Sequence, residues 1–240
     1  MISTLQKLAG LGNDIGHTSS SSLTFNANLP VTIEVLRRID AFRYQLRVGR
    51  KELTTKSQKQ LIPGKRYWAN FFEGKGNVLT ISQLWPQPDF FNDASSFIRF
   101  SKEILFEQHC FSYTAFKRHI FQTMSSPELS KEDFFHYSYM LLAFSKEVVH
   151  LPWYIDDKKI LLQFSSTEEG NLHYYIAHEN LGPLGGMITS NELQIDVMYE
   201  KSLVYLQKEH EKLGIITRLG LNKEIEPLFD TSNLTFDIKG

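Results

Sequence analysis

The sequence lacks the features that would direct an interpretation towards disulfides, membranes or catalysis. One residue of 240 is a cysteine, Cys110, which excludes an internal disulfide and disfavours a cysteine-based zinc site. No apolar run approaches the roughly 18 residues that span a bilayer. We find no recognisable pair of carboxylates, phosphate loop or metal-ligand spacing. The sequence therefore predicts a protein that is not an enzyme, without metal or cofactor, and a reducing cytoplasm suits it best.

An excess of charge of one sign is also missing. Lys and Arg number 26 and Asp and Glu number 27, so no overall field attracts nucleic acid or a membrane surface. The hydrophobic share of 42% is enough for real cores, and the length suits one large or two modest domains. We expect an α+β fold: a small N-terminal OB-like β-barrel, a helical middle segment and a C-terminal β/α domain of order β-β-β-α-β.

Residues 1–28 read as a flexible N-terminal segment, since four consecutive serines and scattered glycines disfavour a packed core. The segment lacks a positive n-region followed by a long apolar core, so a cleaved secretory signal is not expected. Two interpretations stay open. One is a frayed terminus, and the other is an unfolded export signal that a secretion machine reads without cleavage.

Residues 29–85 are predicted to form the β-barrel. Apolar and polar residues alternate in residues 31–36 and 43–48, a period of two that is typical of half-buried strands. Turn phrases at residues 61–65 and 73–77 separate further short strands. About five short strands that close on themselves predict an OB-like barrel.

The same unit holds a local excess of basic residues, which suggests an alternative function. A basic barrel with exposed aromatic rings can stack single-stranded nucleic acid, here on Tyr67, Trp68, Phe71 and Phe72. The competing interpretation is that the basic residues form a solvated face and the aromatic rings fill the core. The basic residues are Arg37, Arg38, Arg43, Arg47, Arg50, Lys51, Lys56, Lys59, Lys65 and Arg66.

Residues 86–150 are predicted to be helical. Asp93 is a plausible N-cap for a stripe of Phe97, Ile98, Ser101, Ile104 and Leu105. A second stripe runs from Tyr113 to Met124, and a third follows a capping box at Ser130 and ends at Val148. His109 and Cys110 are adjacent, but neighbours on a helix point about 100° apart and do not form a dyad.

Residues 151–221 are predicted to alternate strands with one helix. Strands are expected around residues 160–164, 172–176, 193–199 and 215–221, with a helix from about Lys201 that ends before Gly214. A Gly-rich corner, residues 182–186, separates the second and third strands. Residues 222–240 are polar and are expected to form a loose tail.

This C-terminal unit resembles the C-terminal domain of the flagellar hook-length control protein family. The likeness covers residues 151–221 and depends on the order of short pieces: Leu151-Pro152 before a strand, Leu181-Gly182-Pro183-Leu184-Gly185 before an alternating strand, and a helix that ends at Leu213-Gly214. The phrase at residues 61–65 also resembles the β unit that precedes this domain in some relatives. Family members carry a long disordered segment that measures the hook, whereas only residues 1–28 read as disordered here.

The resemblance implies a non-enzymatic component of the flagellar type III export system, cytoplasmic or itself exported. Such a domain contacts the cytoplasmic domain of the export-gate protein and switches the apparatus from hook to filament subunits. The glycines of the corner let the backbone approach another chain closely, and the competing interpretation is a purely structural corner between strands. If Ile195 or Val197 lies on an edge strand, it can pair with a partner strand. The residues predicted to bind the partner are Leu181, Gly182, Pro183, Leu184, Gly185, Gly186, Ile195 and Val197.

Overall fold

The structure, a computed structural model, describes residues 29–73, 79–92, 97–98, 106–107, 110–155 and 158–231. Within these ranges the fold is α+β, as expected, with two large sheets and three α-helices. The predicted flexible segment 1–28 lies outside the described residues. So do Asp93, Ser101, Ile104, Leu105 and His109.

The first sheet is an open antiparallel sheet of five strands in the order β3-β2-β1-β4-β5. The predicted strands are confirmed, but the OB-like closure is wrong, since no pairing joins β3 to β5 in the described residues. Buried Ile33, Val35, Tyr44 and Leu46 form its core on one face, which follows from the alternation seen in the sequence. The strands are β1 (Val31–Arg38), β2 (Arg43–Val48), β3 (Lys51–Lys56), β4 (Arg66–Glu73) and β5 (Leu79–Pro86).

The middle segment is only partly helical. The second and third stripes are confirmed as α1 (Tyr113–Met124) and α2 (Lys131–Phe144), and Ser130 caps α2 by accepting a hydrogen bond from Asp133 N at 3.0 Å. The first predicted helix is wrong where it is described, because Ile98 bridges Trp153 as an extended residue. Short elements precede α1: a 3-10 helix (Asp89–Asn92), β6 (Phe106–Glu107) and β7 (Cys110–Phe111).

The second sheet has six strands in the order β13-β12-β11-β10-β9-β8. Two of them were not predicted, namely β8, where Leu151-Pro152 was expected to precede the first strand, and β11, which contains the predicted corner. The elements are β8 (Val149–Ile155), β9 (Lys158–Ser166), β10 (Leu172–His178), β11 (Gly182–Ile188), β12 (Leu193–Val197), α3 (Glu200–Glu209), a 3-10 helix (His210–Leu213) and β13 (Thr217–Leu221).

Helices cover one face of the second sheet, which we call the helical face. α1 and α2 pack there through Phe116, Ile120 and Met140, and α3 packs through Leu203 and Leu206. Because α3 connects β12 to β13, these two strands are parallel, whereas every other pair in the sheet is antiparallel. Gly214 ends this connection with a φ of +66°, as the sequence predicts.

The first sheet and the C-terminal segment cover the opposite face, which we call the inner face. Trp68 of β4 is fully buried against Leu161, Tyr175 and Ala177 of the second sheet. The segment after β13 also packs there, with Ile225 and Phe229 only 5% and 4% exposed. The expectation of a loose tail therefore fails for residues 222–231, whereas residues 232–240 lie outside the described part.

Candidate interaction surface

The residues predicted to bind a partner lie inside the second sheet. β11 pairs with β10 on one side and with β12 on the other, so residues 182–188 form an interior strand instead of an open corner. β12 is also interior, because β13 pairs along its other side. Ile195 and Val197 therefore do not lie on an edge strand, which is the condition under which they could pair with a partner strand. Of the predicted set, Gly182, Pro183, Leu184, Gly185, Ile195 and Val197 are buried.

Because the glycines of β11 have no side chains, other parts of the same chain pack directly against this strand. A Cβ atom on Gly182 would lie 2.6 Å from the Tyr199 ring, and one on Gly186 would lie 2.0 Å from Gln194 O. A Cβ atom on Gly185 would lie 3.2 Å from Ile225 Cγ2. Close backbone approach, which the sequence suggested would serve a partner, serves internal packing here.

The turn between β10 and β11 is held by both neighbouring layers. Trp68 Nε1 donates to the carbonyl oxygens of His178 and Glu179, each at 3.1 Å. Ser202 Oγ donates to Leu181 O at 2.7 Å. These hydrogen bonds satisfy the carbonyl oxygens of the turn from within the protein, so these oxygens do not need a partner chain as donor.

β13 is the edge strand of the second sheet that lies nearest to the predicted site. Leu193 N donates to Ile216 O and Asn222 N donates to Val197 O, each at 2.9 Å. In a parallel ladder this pattern directs the backbone groups of even-numbered residues 216–222 towards β12. The backbone groups of Thr217, Leu219 and Leu221 therefore point away from β12, and no other strand of the described chain pairs with them. We call these three residues the open edge.

Apolar side chains are exposed beside the open edge. Ile216 is 73% exposed and Leu213 is 51% exposed. Ile215 and Leu221 are also exposed. We call these four residues the apolar rim. A strand edge with neighbouring exposed apolar side chains is the arrangement through which strand addition joins two chains.

The other edges of the two large sheets are protected. β3 presents exposed Lys51, Glu52 and Lys56. β5 pairs irregularly with β4 and ends at Pro86. β8 contains Pro152, and the Ile98 backbone bonds with its outer side at 2.8 and 3.0 Å. β13 carries one charged residue, Arg218, no proline and no covering backbone in the described residues, so it is less protected against edge pairing than the other three edges.

Comparisons with known proteins were made for the whole chain. No family model, curated protein or solved structure matches it. The resemblance to hook-length control proteins therefore depends only on the short sequence pieces quoted above.

Three of the ten basic residues of the first unit, Arg43, Arg47 and Lys65, form ion pairs with acidic residues among the described residues. Arg47 contacts Glu34 at 3.3 Å and Glu52 at 3.1 Å, and Arg43 bonds with Asp40. Hydrogen bonds from Phe42 N, and then from the Arg43 side chain, lower the pKa of Asp40 to about 2. These charges neutralise one another locally.

The aromatic residues of the nucleic-acid hypothesis are not arranged as a stacking surface where they are described. Tyr67 is 7% exposed and Trp68 is fully buried. The side chains of Phe71 and Phe72 lie outside the described part. Base stacking needs an accessible ring face, so the described residues favour the interpretation in which basic residues are solvated and aromatic rings pack.

His150, on the inner face, is a fully buried histidine that was not singled out from the sequence. Gln163 bonds with the Phe229 backbone in both directions, its Nε2 donating to Phe229 O at 2.7 Å and its Oε1 accepting from Phe229 N at 3.2 Å. These bonds fix the orientation of the amide. Gln163 Nε2 then donates to His150 Nδ1 at 2.8 Å, so His150 is neutral with its proton on Nε2.

Three further histidines, His173, His178 and His210, belong to the second sheet and to the end of α3. His178 Nδ1 accepts hydrogen bonds from Asn180 N and Leu181 N, at 3.1 and 3.2 Å, and burial, aided by Lys158, lowers its pKa. His173 is exposed on the same strand, and His210 lies at the C-terminal end of α3, 2.9 Å from Gln207 O. No group of three or more potential metal ligands occurs among the described residues.

An open surface cleft of about 490 Å³ lies beside α1. Tyr113, Lys117, Arg118 and Phe121 line it, and it contains neither a carboxylate nor a histidine. It is therefore not the deep site with convergent titratable groups that catalysis would need.

Among the described residues, no helix is both long enough and apolar enough to cross a membrane.

Proposed function

We propose that this chain is a non-enzymatic protein-binding module of the flagellar export system, of the hook-length control type. Its partner in this proposal is the cytoplasmic domain of the export gate, and binding acts in hook completion or in the switch of substrate specificity. The family assignment is supported by the sequence pieces in residues 151–221. The mode of binding is supported by the edge of β13, which is less protected than the other sheet edges.

The observation that carries the binding mode is the contrast between β13 and the other edges. Three edges carry charges, proline or covering backbone, whereas β13 presents unpaired backbone groups beside the apolar rim. A partner strand that adds to β13 gains main-chain hydrogen bonds from the open edge, and its apolar side chains bury the rim. The buried residues of β11 and β12 do not touch the partner but hold β13 in position.

The test is a binding titration between the purified chain and the export-gate cytoplasmic domain. Ile216→Asp places a charge in the apolar rim and is expected to weaken binding at least tenfold, since burying an unpaired carboxylate is costly. Ile62→Asp is the matched control, because Ile62 is 51% exposed and lies in the connection between β3 and β4, outside the second sheet. Equal affinity of both variants and of the unmodified chain would contradict the proposed surface.

A cellular test follows from the same pair of variants. Cells carrying Ile216→Asp are expected to show abnormal hooks or missing filaments, and cells carrying Ile62→Asp are expected to be normal. Deleting residues 181–186 is a poorer experiment, because it removes most of an interior strand and disrupts the sheet itself. Normal flagella in cells that make folded Ile216→Asp protein would contradict the proposal.

A further inference from the structure

We propose that β13 also pairs antiparallel with β13 of a second copy of this chain, about a two-fold axis at Leu219. The two six-stranded sheets would then form one continuous sheet across the dimer. This inference deepens the proposed function, because the second copy occupies the edge that the partner needs. Three observations support it: the direction of the backbone groups, the side chains that each register brings together, and the apolar rim.

The backbone groups of the open edge are arranged for self-pairing. Thr217, Leu219 and Leu221 direct their N–H and C=O groups away from β12, at alternate positions along the strand. An antiparallel pair needs such groups at facing positions on both strands. With the axis at Leu219, Leu219 faces its own copy and Thr217 faces Leu221. Each of these facing pairs exchanges hydrogen bonds in both directions.

The side chains select this register over its neighbour. With the axis at Leu219, Arg218 faces Gly220 of the second copy, and an uncharged ladder of Leu219, Thr217 and Leu221 lies along the helical face. With the axis at Arg218, two arginines would face each other directly, and like charges at facing positions are destabilising. The absence of this repulsion favours the axis at Leu219.

The apolar rim supplies area beyond the five residues of the strand. Ile215 and Ile216 precede β13 directly, and Leu213 ends the preceding 3-10 helix. In an antiparallel pair these residues lie beside the far end of the second β13, where the strand leads into residues 222–224. Burying Ile216, which is 73% exposed in one copy, adds an apolar contribution to the backbone hydrogen bonds.

Self-pairing has a consequence for partner binding. The second copy and the export-gate strand would use the same unpaired backbone groups, so the two associations exclude each other. Raising the concentration of this chain alone would then reduce the fraction of open edges, and a partner would have to displace the second copy. Occupancy of the edge thus depends on the concentrations of both.

The test is disulfide cross-linking of the full chain in a Cys110→Ser background, with dimerisation measured independently by sedimentation. Leu219→Cys is expected to give a covalent dimer under mild oxidation, because the Cα atoms of a hydrogen-bonded facing pair lie about 5.5 Å apart, a separation that a disulfide can span. Arg218→Cys, one residue away, is the matched control and is expected to give no covalent dimer, because residue 218 faces residue 220 of the second copy. The background chain without a new cysteine is expected to show concentration-dependent dimers by sedimentation.

A second variant separates the edge from cysteine reactivity. Thr217→Pro removes an outward-facing N–H group without touching the bonds to β12, and proline is tolerated at such edge positions. It is expected to abolish the dimer, while Thr217→Ala retains it. A dimer of Thr217→Pro equal to that of Thr217→Ala, or cross-linking of Arg218→Cys equal to that of Leu219→Cys, would overturn the proposal.

The outcomes are distinguishable from failure of the proposed function. A chain that binds the export gate but stays monomeric at all concentrations contradicts self-pairing alone. A chain that dimerises through Leu219 but does not bind the gate contradicts the gate partner alone.

Discussion

At the scale of single residues, the glycines of β11 explain why this strand exists. Gly182 has a φ of +78° and lies directly under the Tyr199 ring, whose hydroxyl donates to Gln83 O in the first sheet at 3.0 Å. The absence of a side chain at Gly182 therefore lets Tyr199 connect the two sheets. Gly170, in the turn between β9 and β10, has nearly the same φ of +79°, but a Cβ atom there would meet nothing within 4 Å.

We expect Gly182→Ala to lower the free energy of unfolding by about 3 kcal/mol, part from the left-handed backbone and part from overpacking against Tyr199. Gly170→Ala should cost only about 1 kcal/mol, because it carries the backbone cost alone. Urea unfolding of both variants measures the difference. Equal losses for the two would show that the Tyr199 contact does not constrain β11.

His150 gives a prediction for pH dependence. Burial, with a smaller contribution from His136, lowers the pKa of His150 to about 3, compared with about 6.5 for an unfolded chain. Between these pH values the unfolded chain binds more protons, so stability falls as the pH falls below 6.5. We expect a loss of about 2 kcal/mol from this residue between pH 7 and pH 5.

Urea unfolding at pH 7 and pH 5 measures this loss. His150→Leu removes the titrating ring and should reduce the pH dependence over this interval to the part contributed by other, partly buried histidines, such as His178 and His119, whose pKa values burial also lowers. It also lowers stability at pH 7 by leaving Gln163 with one partner fewer. His173→Gln, at an exposed position, should retain the full pH dependence. A pH dependence unchanged in His150→Leu would contradict the assignment.

At the scale of elements, the sequence predicted most strands but missed β11. The phrase Gly-Pro-Leu-Gly-Gly has the composition of a turn, and glycine and proline are both poor strand formers. Pairing on both sides, together with rings and side chains that fill the glycine positions, overrides this local preference. Such packing depends on residues far along the chain, for example Ile225, so periodicity alone cannot detect it.

The C-terminal segment is the clearest element whose role the sequence did not reveal. Polar composition predicted a loose tail, yet two apolar residues four apart anchor residues 222–231 to the inner face. We expect Ile225→Ala to cost about 2–4 kcal/mol, because it leaves a cavity above Gly185. Leu228→Ala, at a position 37% exposed in the same segment, should cost less than about 1 kcal/mol.

Thermal or urea unfolding of the two variants measures this contrast. Hydrogen exchange in β11 should also increase in Ile225→Ala and not in Leu228→Ala, because Ile225 covers that strand. Similar small effects for both substitutions would mean that the segment does not contribute to the core.

At the scale of the whole molecule, local patterns predicted the elements but not how they assemble. The alternation in residues 31–48 indicated the strands of the first sheet, but whether that sheet closes depends on β3 meeting β5, and instead the inner face of the second sheet covers it at Trp68. The candidate site moved for the same reason. Residues 181–186, which carry the resemblance to the family, lie in and beside an interior strand of the sheet. The exposed edge strand is β13, two strands from β11.

The central claim is that the unpaired groups of β13 receive a strand from another chain. The most direct measurement is residue-resolved amide exchange of this chain at a concentration where it is monomeric, alone and with the export-gate domain. The amides of Thr217, Leu219 and Leu221 should exchange rapidly alone and become protected in the complex, whereas those of Arg218 and Gly220, which face β12, should be protected in both. Rapid exchange of all three outward amides in a saturated complex would contradict the claim.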